Sequence, residues 1–205
     1  MKIGIMGGTF NPIHNGHLSL AKAAYQQYPL DRIWFMPSGL PAHKSNQELL
    51  PAKTRLHMVQ LALAGSSGFE ASSFEIDREG FTYTADTMVA LAKEYPKVEF
   101  YFIIGGDSLM KFHKWVKPEV ISAHATLLAA GRDGISKDCL TEQAKQLKLQ
   151  FGTKVSLLDM PELKISSNEI RFLCANKQYN EVKKLVPEPV VQYIMEHELW
   201  KYPTN

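Results

Sequence analysis

Residues 2–17 read KIGIMGGTFNPIHNGH, and this stretch decides the fold class. It opens with a short apolar run, continues through two glycines, and reaches a segment of helical character near His14. Leu18, Ala21 and Tyr25 then follow at the i, i+3, i+7 spacing that places side chains on one face of a helix. The stretch therefore predicts a β-strand, a glycine-containing loop and a helix that packs on the strand.

The same alternation of strand and helix continues along the chain. Apolar runs predict strands at Lys2–Met6, Arg32–Met36, Phe69–Ile76, Val98–Ile104, Ala125–Ala130 and Val155–Leu158. Between the second and third of these runs, Leu56, Val59 and Leu63 repeat the helical spacing. Short strands that alternate with longer helices are typical of a parallel sheet with crossover helices. We therefore predict an α/β fold.

The end of the chain has a different pattern, which predicts helices without further strands. Residues 166–175 read as one helix, and Pro187 or Pro189 begins another. The buried side of that last helix is predicted to carry Val190, Val191, Ile194 and Met195. The chain has no internal repeat or long linker. We therefore predict one domain over residues 1–205, with a core to about residue 160 and a small helical C-terminal part from about 161 to 205.

Composition indicates an ordinary globular protein and argues against nucleic acid and membrane as partners. Of 205 residues, 45% are hydrophobic and 21% charged, and 23 Lys and Arg nearly balance 21 Asp and Glu. This balance argues against a nucleic-acid partner, and no apolar run is long enough to span a membrane. Cys139 and Cys174 form neither a CxxC motif nor a Cys/His cluster, which favours a reducing cytoplasm. The oligomeric state stays open, a homo-oligomer included.

Five loops that follow predicted strands carry residues suited to ligand binding. The carboxyl ends of parallel strands meet at one edge of a sheet, where ligands bind in open α/β folds. The loops are GGTFNPIHNGH (7–17), PSGLPAHK (37–44), GGDS (105–108), GRDG (131–134) and ISSNEIR (165–171). Their shared position predicts one composite site at this edge.

The first of these loops has the features of a phosphate-binding site. Gly7 and Gly8 lack a Cβ, so phosphates can approach the backbone N–H groups, and the following helix presents its positive end. The loop is neither a P-loop nor a GxGxxG fingerprint. His14 and His17 lie three residues apart on one helical face, where both imidazoles can donate to phosphate oxygens. The alternative is that one histidine caps the helix and the other packs.

The segment GGTFNPIHNGH resembles the signature of the HxGH nucleotidyltransferase superfamily. Further segments resemble the bacterial nicotinate mononucleotide adenylyltransferases within it: PAHK (41–44), YTADT (83–87), IGGDS (104–108), KW (114–115) and ISSNEIR (165–171). The resemblance extends from Met1 to about Tyr202. It implies a Rossmann-like, doubly wound parallel sheet.

The resemblance also implies an activity. Nicotinate mononucleotide and ATP would condense to nicotinate adenine dinucleotide and pyrophosphate, a step of NAD biosynthesis, by direct in-line displacement. Mg²⁺ would accompany ATP and be held mainly by its phosphates. The implied catalytic residues are His14, His17 and Arg171. Those implied for ATP are Gly7, Gly8, Thr9, Phe10, Gly105, Asp107, Arg132, Ser166 and Ser167, and those for the acceptor are Lys44, Thr84 and Trp115.

Several of these roles have a structural alternative. Ser166 and Ser167 suit a helix N-cap, and the planar guanidinium of Arg171 suits a phosphate, but the same residues also describe an ordinary cap with a solvated arginine. Thr84 begins a helix whose N-terminus favours a carboxylate. Trp115 either stacks on the pyridine ring or packs in the core.

The roles of Lys44 and Asp107 have alternatives as well. Lys44 either reaches a phosphate or is simply solvated. Asp107 either lies near the nucleotide ribose or metal, or caps the next helix.

Two residues depart from the family pattern, and three rival functions stay open. Asn11 stands where the family usually has Asp, and Ala42 where it usually has Pro. One rival is a related transferase that uses nicotinamide mononucleotide or phosphopantetheine as acceptor. The others are a non-catalytic nucleotide sensor, which should have lost the histidines or Arg171, and a nucleic-acid-binding module.

Overall fold

The computed structural model describes residues 1–41, 49–131, 135–161 and 164–201. Its strands are β1 (Lys2–Gly8), β2 (Arg32–Pro37), β3 (Leu40–Pro41), β4 (Phe69–Ala71), β5 (Phe81–Thr82), β6 (Glu99–Gly105), β7 (Ala125–Ala130) and β8 (Val155–Leu158). Its helices are α1 (Asn15–Gln27), α2 (Ala52–Leu63), α3 (Thr84–Glu94), α4 (Gly106–Lys111), α5 (Pro118–His124), α6 (Lys137–Phe151), α7 (Ser167–Ala175), α8 (Tyr179–Leu185) and α9 (Glu188–Glu196). A 3-10 helix covers Phe112–Lys114. Within these described ranges, no helix is both long and apolar enough to cross a membrane.

The main sheet has six strands in the order β4-β2-β1-β6-β7-β8, and every neighbouring pair is parallel. The chain starts at the central strand β1, moves outward through β2 to β4, and then returns to the other side of β1 to form β6, β7 and β8. This confirms the prediction of a doubly wound α/β sheet. The reversal falls between β1 and β6, so the carboxyl ends of these two strands border the crevice where such folds bind ligands.

Two hydrophobic clusters, one on each face of the sheet, hold the helices in place. Alternate side chains of a strand point to opposite faces. Ile3 and Ile5 of β1 therefore lie in one cluster with α3, α5 and α6, whereas Met6 lies in the other with α1, α2 and the C-terminal helices. Because both faces are covered, the central strands are apolar along most of their length.

The C-terminal helices pack into the same cluster as α1 and α2. Val190, Val191 and Ile194 of α9 are 0% exposed, as predicted, but Met195 is 42% exposed. The prediction that Met195 is buried was wrong, because Met195 lies about 100° around the helix from Ile194 and beyond the edge of the apolar stripe. The organisation into one domain stays a prediction, and the packing of α9 on α2 supports it.

Two strand predictions differ from the structure. The run Phe69–Ile76 was predicted as one strand, but β4 ends at Ala71. Beyond it the backbone turns, because Phe74 N–H donates to Ser72 Oγ at 3.3 Å and Ile76 N–H donates to the carbonyl of Ser73 at 2.7 Å. The short parallel pair β3 and β5 was not predicted, since two residues are too few to show an alternating pattern.

The contrast between Ile194 and Met195 gives a test of this packing. We expect Ile194→Ala to lower the free energy of unfolding by about 2–5 kcal/mol, because it leaves a cavity in a fully buried cluster. The matched control Met195→Ala, on the exposed side of the same helix, should change it by less than about 0.5 kcal/mol. Urea denaturation of both variants measures the two values. Equal losses would contradict the assignment of the buried face.

Candidate active site

The first loop begins at two glycines that are closely packed by aromatic rings. A Cβ at Gly7 would lie 3.0 Å from Cζ of Phe102, and a Cβ at Gly8 would lie 3.1 Å from Cζ of Phe10. Phe10 itself has a positive φ of 49° and is 2% exposed. The absence of side chains at the two glycines therefore makes room for these rings. The approach of phosphates to the same backbone stays a prediction.

The two histidines stack at the start of α1. Their ring centroids are 3.6 Å apart at an interplanar angle of 26°, and the edge-to-face contact of Phe10 with His17 closes the other side at 5.0 Å. His14 is the N-cap residue, and its backbone N–H donates to Nδ1 of His17 at 3.2 Å. A neutral His17 ring with Nδ1 as acceptor carries its proton on Nε2. The capping bond thus prepares His17 to donate from Nε2, so capping and ligand binding are compatible.

The start of α7 is bonded to the same loop. Ser166 is the N-cap, and its Oγ accepts from the backbone N–H of Glu169 at 3.2 Å. Ser167 Oγ donates to the carbonyl of Pro12 at 2.9 Å, and Arg171 Nη1 donates to the carbonyl of Asn11 at 3.1 Å. The histidine loop and the SSNEIR helix are therefore brought together, as the sequence predicted.

Arg171 is held in a defined orientation by a second bond. Its Nη2 donates to Oδ1 of Asn168 at 2.7 Å, on the same helix. These two hydrogen bonds constrain the plane of the guanidinium group, and the residue as a whole is half-buried. A planar, oriented guanidinium suits two phosphate oxygens at once.

The loop after β6 lies next to the first loop, across the point where the chain reverses. Gly105 pairs with Ala130 at the end of the sheet, and a Cβ at Gly106 would lie 3.1 Å from the carbonyl oxygen of Ala130. Asp107 follows in the first turn of α4 and is half-buried. The structure therefore places Asp107 at the predicted edge.

A pocket of about 160 Å³ brings together two of the three predicted acceptor residues, Thr84 and Trp115. Its walls are Thr82, Tyr83, Thr84, Trp115, Val116 and Ile121. Thr84 is the first residue of α3, as predicted. Trp115 is half-buried: its ring packs against Phe112 at 5.3 Å and against Phe102 at 6.1 Å. Trp115 thus packs against core rings and also lines the pocket.

A buried arginine joins the loops after β1 and β2, and the sequence analysis missed it. Arg55 is 0% exposed. Its guanidinium donates to the carbonyls of Thr9 at 2.7 Å, Ser38 at 2.7 Å and Gly39 at 2.9 Å, and its Nε donates to the carbonyl of Leu50 at 3.0 Å. Burial lowers the pKa of Arg55 to about 10, so the group is still charged at neutral pH. Its spacing is the sequence signal that could have revealed it. Arg55 precedes the buried Val59 by four residues and therefore lies on the apolar face of α2.

Comparison with known proteins identifies the family. The model of the cytidylyltransferase-like family matches residues 5–172. The probable nicotinate-nucleotide adenylyltransferase of Lachnoclostridium phytofermentans is 45% identical over 196 residues, which cover 96% of this chain and 97% of that protein. The one of Moorella thermoacetica is 39% identical and covers 98% of this chain and 92% of its own length.

The chain belongs to the cytidylyltransferase-like family, among the nicotinate-nucleotide adenylyltransferases. The resemblance seen in the HxGH and SSNEIR segments is thereby confirmed. A Plasmodium falciparum nicotinic acid mononucleotide adenylyltransferase complexed with NaAD has a TM-score of 0.79 at 23% identity, with 97% of each chain covered. That likeness shows that this adenylyltransferase shares its fold.

The structure bears on one of the two departures from the family pattern. Asn11 is 4% exposed, and its Oδ1 accepts from the backbone N–H of Leu50 at 3.2 Å. An aspartate can accept the same bond, so in this adenylyltransferase the side chain serves the loop structure. Ala42, Lys44 and Arg132 lie outside the described residues.

The hydrogen bonds of Arg55 lead to a stability prediction for this adenylyltransferase. Arg55→Lys keeps the charge but offers one donor group in place of a planar fork, so buried carbonyls lose their partners at about 1–3 kcal/mol each. We expect the free energy of unfolding to fall by about 3 kcal/mol. Lys53→Ala, exposed on the same helix, is the control and should stay within about 0.5 kcal/mol of wild type. Chemical denaturation that gave both variants the same stability would count against this role.

Proposed function

We propose that the chain transfers the adenylyl group of ATP to nicotinate mononucleotide, which yields nicotinate adenine dinucleotide and pyrophosphate for NAD biosynthesis. The observation that carries this proposal is the convergence of His14, His17 and Arg171 on one loop at the edge of the sheet, with the Thr84–Trp115 pocket at the same edge. The relatives at 39–45% identity carry the same name along nearly their full length.

The proposed ATP site lies over the first loop, between α1 and α7. Backbone N–H groups of Gly8, Thr9 and Phe10, and the side chains of the histidine pair, would donate to the phosphates. Ser166, Ser167 and Arg171 would bind the outer phosphates from the opposite side. Asp107 and Gly105 would lie towards the ribose. We also propose Gly7 for ATP binding. The roles predicted from the sequence for Arg132 in ATP binding and for Lys44 in acceptor binding are part of the proposal as well.

The proposed acceptor site is the small pocket at the start of α3. Backbone and hydroxyl of Thr84 would receive the nicotinate carboxylate, because a helix N-terminus favours an anion. Trp115 would stack on the pyridine ring. A neutral amide in place of the carboxylate would gain less from the helix end, so we expect a preference for the acid.

The reaction needs positioning and charge stabilisation rather than a base. An acceptor phosphate oxygen attacks the α-phosphorus of ATP, a new P–O bond forms there, and the bond to the β-phosphate oxygen breaks to release pyrophosphate. The nucleophile is already an anion, so no proton has to be removed. Donors aimed at the α-phosphate stabilise the charge that develops in the transition state.

Mg²⁺ is proposed to enter as part of the ATP substrate. Within the described parts of the chain, no group of three or more His, Cys, Asp or Glu side chains could hold a metal ion. Phosphate oxygens are favoured Mg²⁺ ligands in nucleotide sites. The cytoplasmic location also stays a prediction, and the oligomeric state stays open.

Pyrophosphate release tests the reaction and the acceptor together. Purified protein is incubated with ATP, Mg²⁺ and, in parallel, nicotinate mononucleotide, nicotinamide mononucleotide or phosphopantetheine. We expect strong preference for nicotinate mononucleotide. Equal rates with the amide would keep the transferase but refute the carboxylate site at Thr84. Activity with phosphopantetheine alone would refute the acceptor assignment, and ATP binding without release would indicate a sensor.

The role of His17 is tested by removing its donor. We expect His17→Ala to lower kcat by about 10²–10³-fold, by analogy with the loss of one preorganised donor to a developing charge. His124→Ala is the control, because His124 is half-buried at the end of α5, which leads into the start of β7 at the opposite edge of the sheet. Steady-state kinetics of both variants provide the comparison. Near-normal turnover in His17→Ala would remove this histidine from the catalytic set.

A further inference from the structure

A buried carboxylate lies beneath the first turn of α3, beside the acceptor pocket. Glu75 is 8% exposed, and its Oε1 accepts from the hydroxyl of Thr87 at 2.7 Å. Nη1 of Arg78 donates to the same hydroxyl oxygen at 3.2 Å. Thr87, on α3, is 0% exposed. We refer to Glu75, Arg78 and Thr87 as the Glu75 cluster.

Thr87 connects the Glu75 cluster to the wall of the pocket. Its Oγ1 lies 3.2 Å from the carbonyl oxygen of Tyr83, and its backbone N–H donates to the same carbonyl at 3.1 Å. Tyr83 is the N-cap of α3 and lines the pocket together with Thr84. A displacement of Thr87 would therefore move the backbone at the start of α3.

The backbone of Glu75 also packs against the loop after β2. A Cβ at Gly39 would lie only 2.6 Å from the carbonyl oxygen of Glu75 and 3.3 Å from Thr82 Oγ1. The same Thr82 oxygen accepts from the backbone N–H of Leu40 at 3.2 Å. The segment that carries Glu75 thus packs against Gly39, which precedes β3 and lies close to Thr82, a residue of β5 that lines the pocket.

The hydrogen-bond capacity of Thr87 makes the cluster sensitive to one proton. A threonine hydroxyl has one proton to donate and two lone pairs to accept with. When Glu75 is ionised, the Thr87 proton is drawn to the carboxylate. When Glu75 is protonated, its own O–H can donate to Thr87, and the Thr87 proton can then turn to the carbonyl of Tyr83. The state of Glu75 therefore decides which bond reaches the start of α3.

We propose that Glu75 is a positioning and specificity-determining residue for the acceptor, acting through Thr87 on the Tyr83–Thr84 backbone and through its charge on the bound carboxylate. This inference rests on the proposed function. It extends that function by assigning acid-over-amide selectivity to a side chain that lies outside the pocket lining.

Two opposing influences set the titration of this group. Burial raises the pKa of Glu75 to about 7, while the hydrogen bond from Thr87 and the charge of Arg78 act to lower it. Arg78, on the same segment, is the charged group that acts on the carboxyl, whereas α3 contributes the neutral Thr87 and the loop after β2 contributes the Gly39 backbone. Below about pH 7 the Arg78 charge is unbalanced and favours an anionic acceptor. Above it, the ionised Glu75 opposes that acceptor.

The ratio of kcat/KM for nicotinate mononucleotide to that for nicotinamide mononucleotide tests this inference. Both acceptors carry the same phosphate, so its own titration near pH 6 cancels in the ratio. In the wild-type protein we expect the ratio to fall by about threefold or more as pH rises through about 7, the scale of one nearby charge in a partly solvated site. In Glu75→Gln, which cannot ionise, we expect a ratio that is flat with pH and equal to the low-pH wild-type value.

Two further variants make the result specific. Glu79→Gln, on the same segment but exposed, should titrate like wild type. Arg78→Gln removes the positive charge, so the midpoint of the ratio should move to higher pH; this variant keeps the test valid if Glu75→Gln does not fold. The inference is overturned, and the proposed function is not, if the ratio titrates in Glu75→Gln as it does in wild type. The same conclusion follows if Arg78→Gln leaves the midpoint of the ratio unchanged. Absence of pyrophosphate release by wild type with every acceptor overturns the proposed function and this inference with it.

Discussion

The buried guanidinium of Arg55 is the constraint on which the arrangement of the site depends. It bonds to carbonyls in three separate segments, namely the loop after β1, the loop after β2 and the residues that precede α2. A charge withdrawn from water is tolerated only where several hydrogen bonds compensate it, so each of these segments must present a carbonyl to the same point. The loop with the histidines and the loop next to the acceptor pocket are held at a fixed separation as a result.

In the proposed reaction, catalysis would rest on geometry more than on reactive side chains. The structure brings together stacked histidines, an arginine oriented by two hydrogen bonds and a helix N-terminus. All of these groups donate hydrogen bonds or attract negative charge. Donors that are already oriented do not have to reorganise when charge develops at phosphorus, which lowers the barrier. The same hydrogen bonds that stabilise the fold, such as that from His14 N–H to His17, thereby also prepare the site.

Motifs and periodicity were sufficient to predict the main sheet, most helices and the meeting of the histidine loop with Arg171. These patterns succeed because the spacing of apolar residues follows from which side chains are buried. They also succeed because the loops that follow parallel strands lie at the same edge of the sheet. Arg55 and Glu75 could not be predicted in the same way. Their partners are backbone carbonyls and a hydroxyl brought near by folding, and no local pattern encodes such contacts. Met195 was misplaced for a related reason, since a hydrophobic residue at the edge of a helical stripe can lie on either side of it.

The bond from Arg171 to the carbonyl of Asn11 joins residues 160 positions apart. During synthesis the chain emerges from its N-terminus, so the strands and helices that hold the histidines are made long before the helix that carries the arginine. A nascent or truncated chain that ends before α7 has the histidine half of the site without the arginine half. The proposed ATP site is therefore complete only in a chain that includes α7.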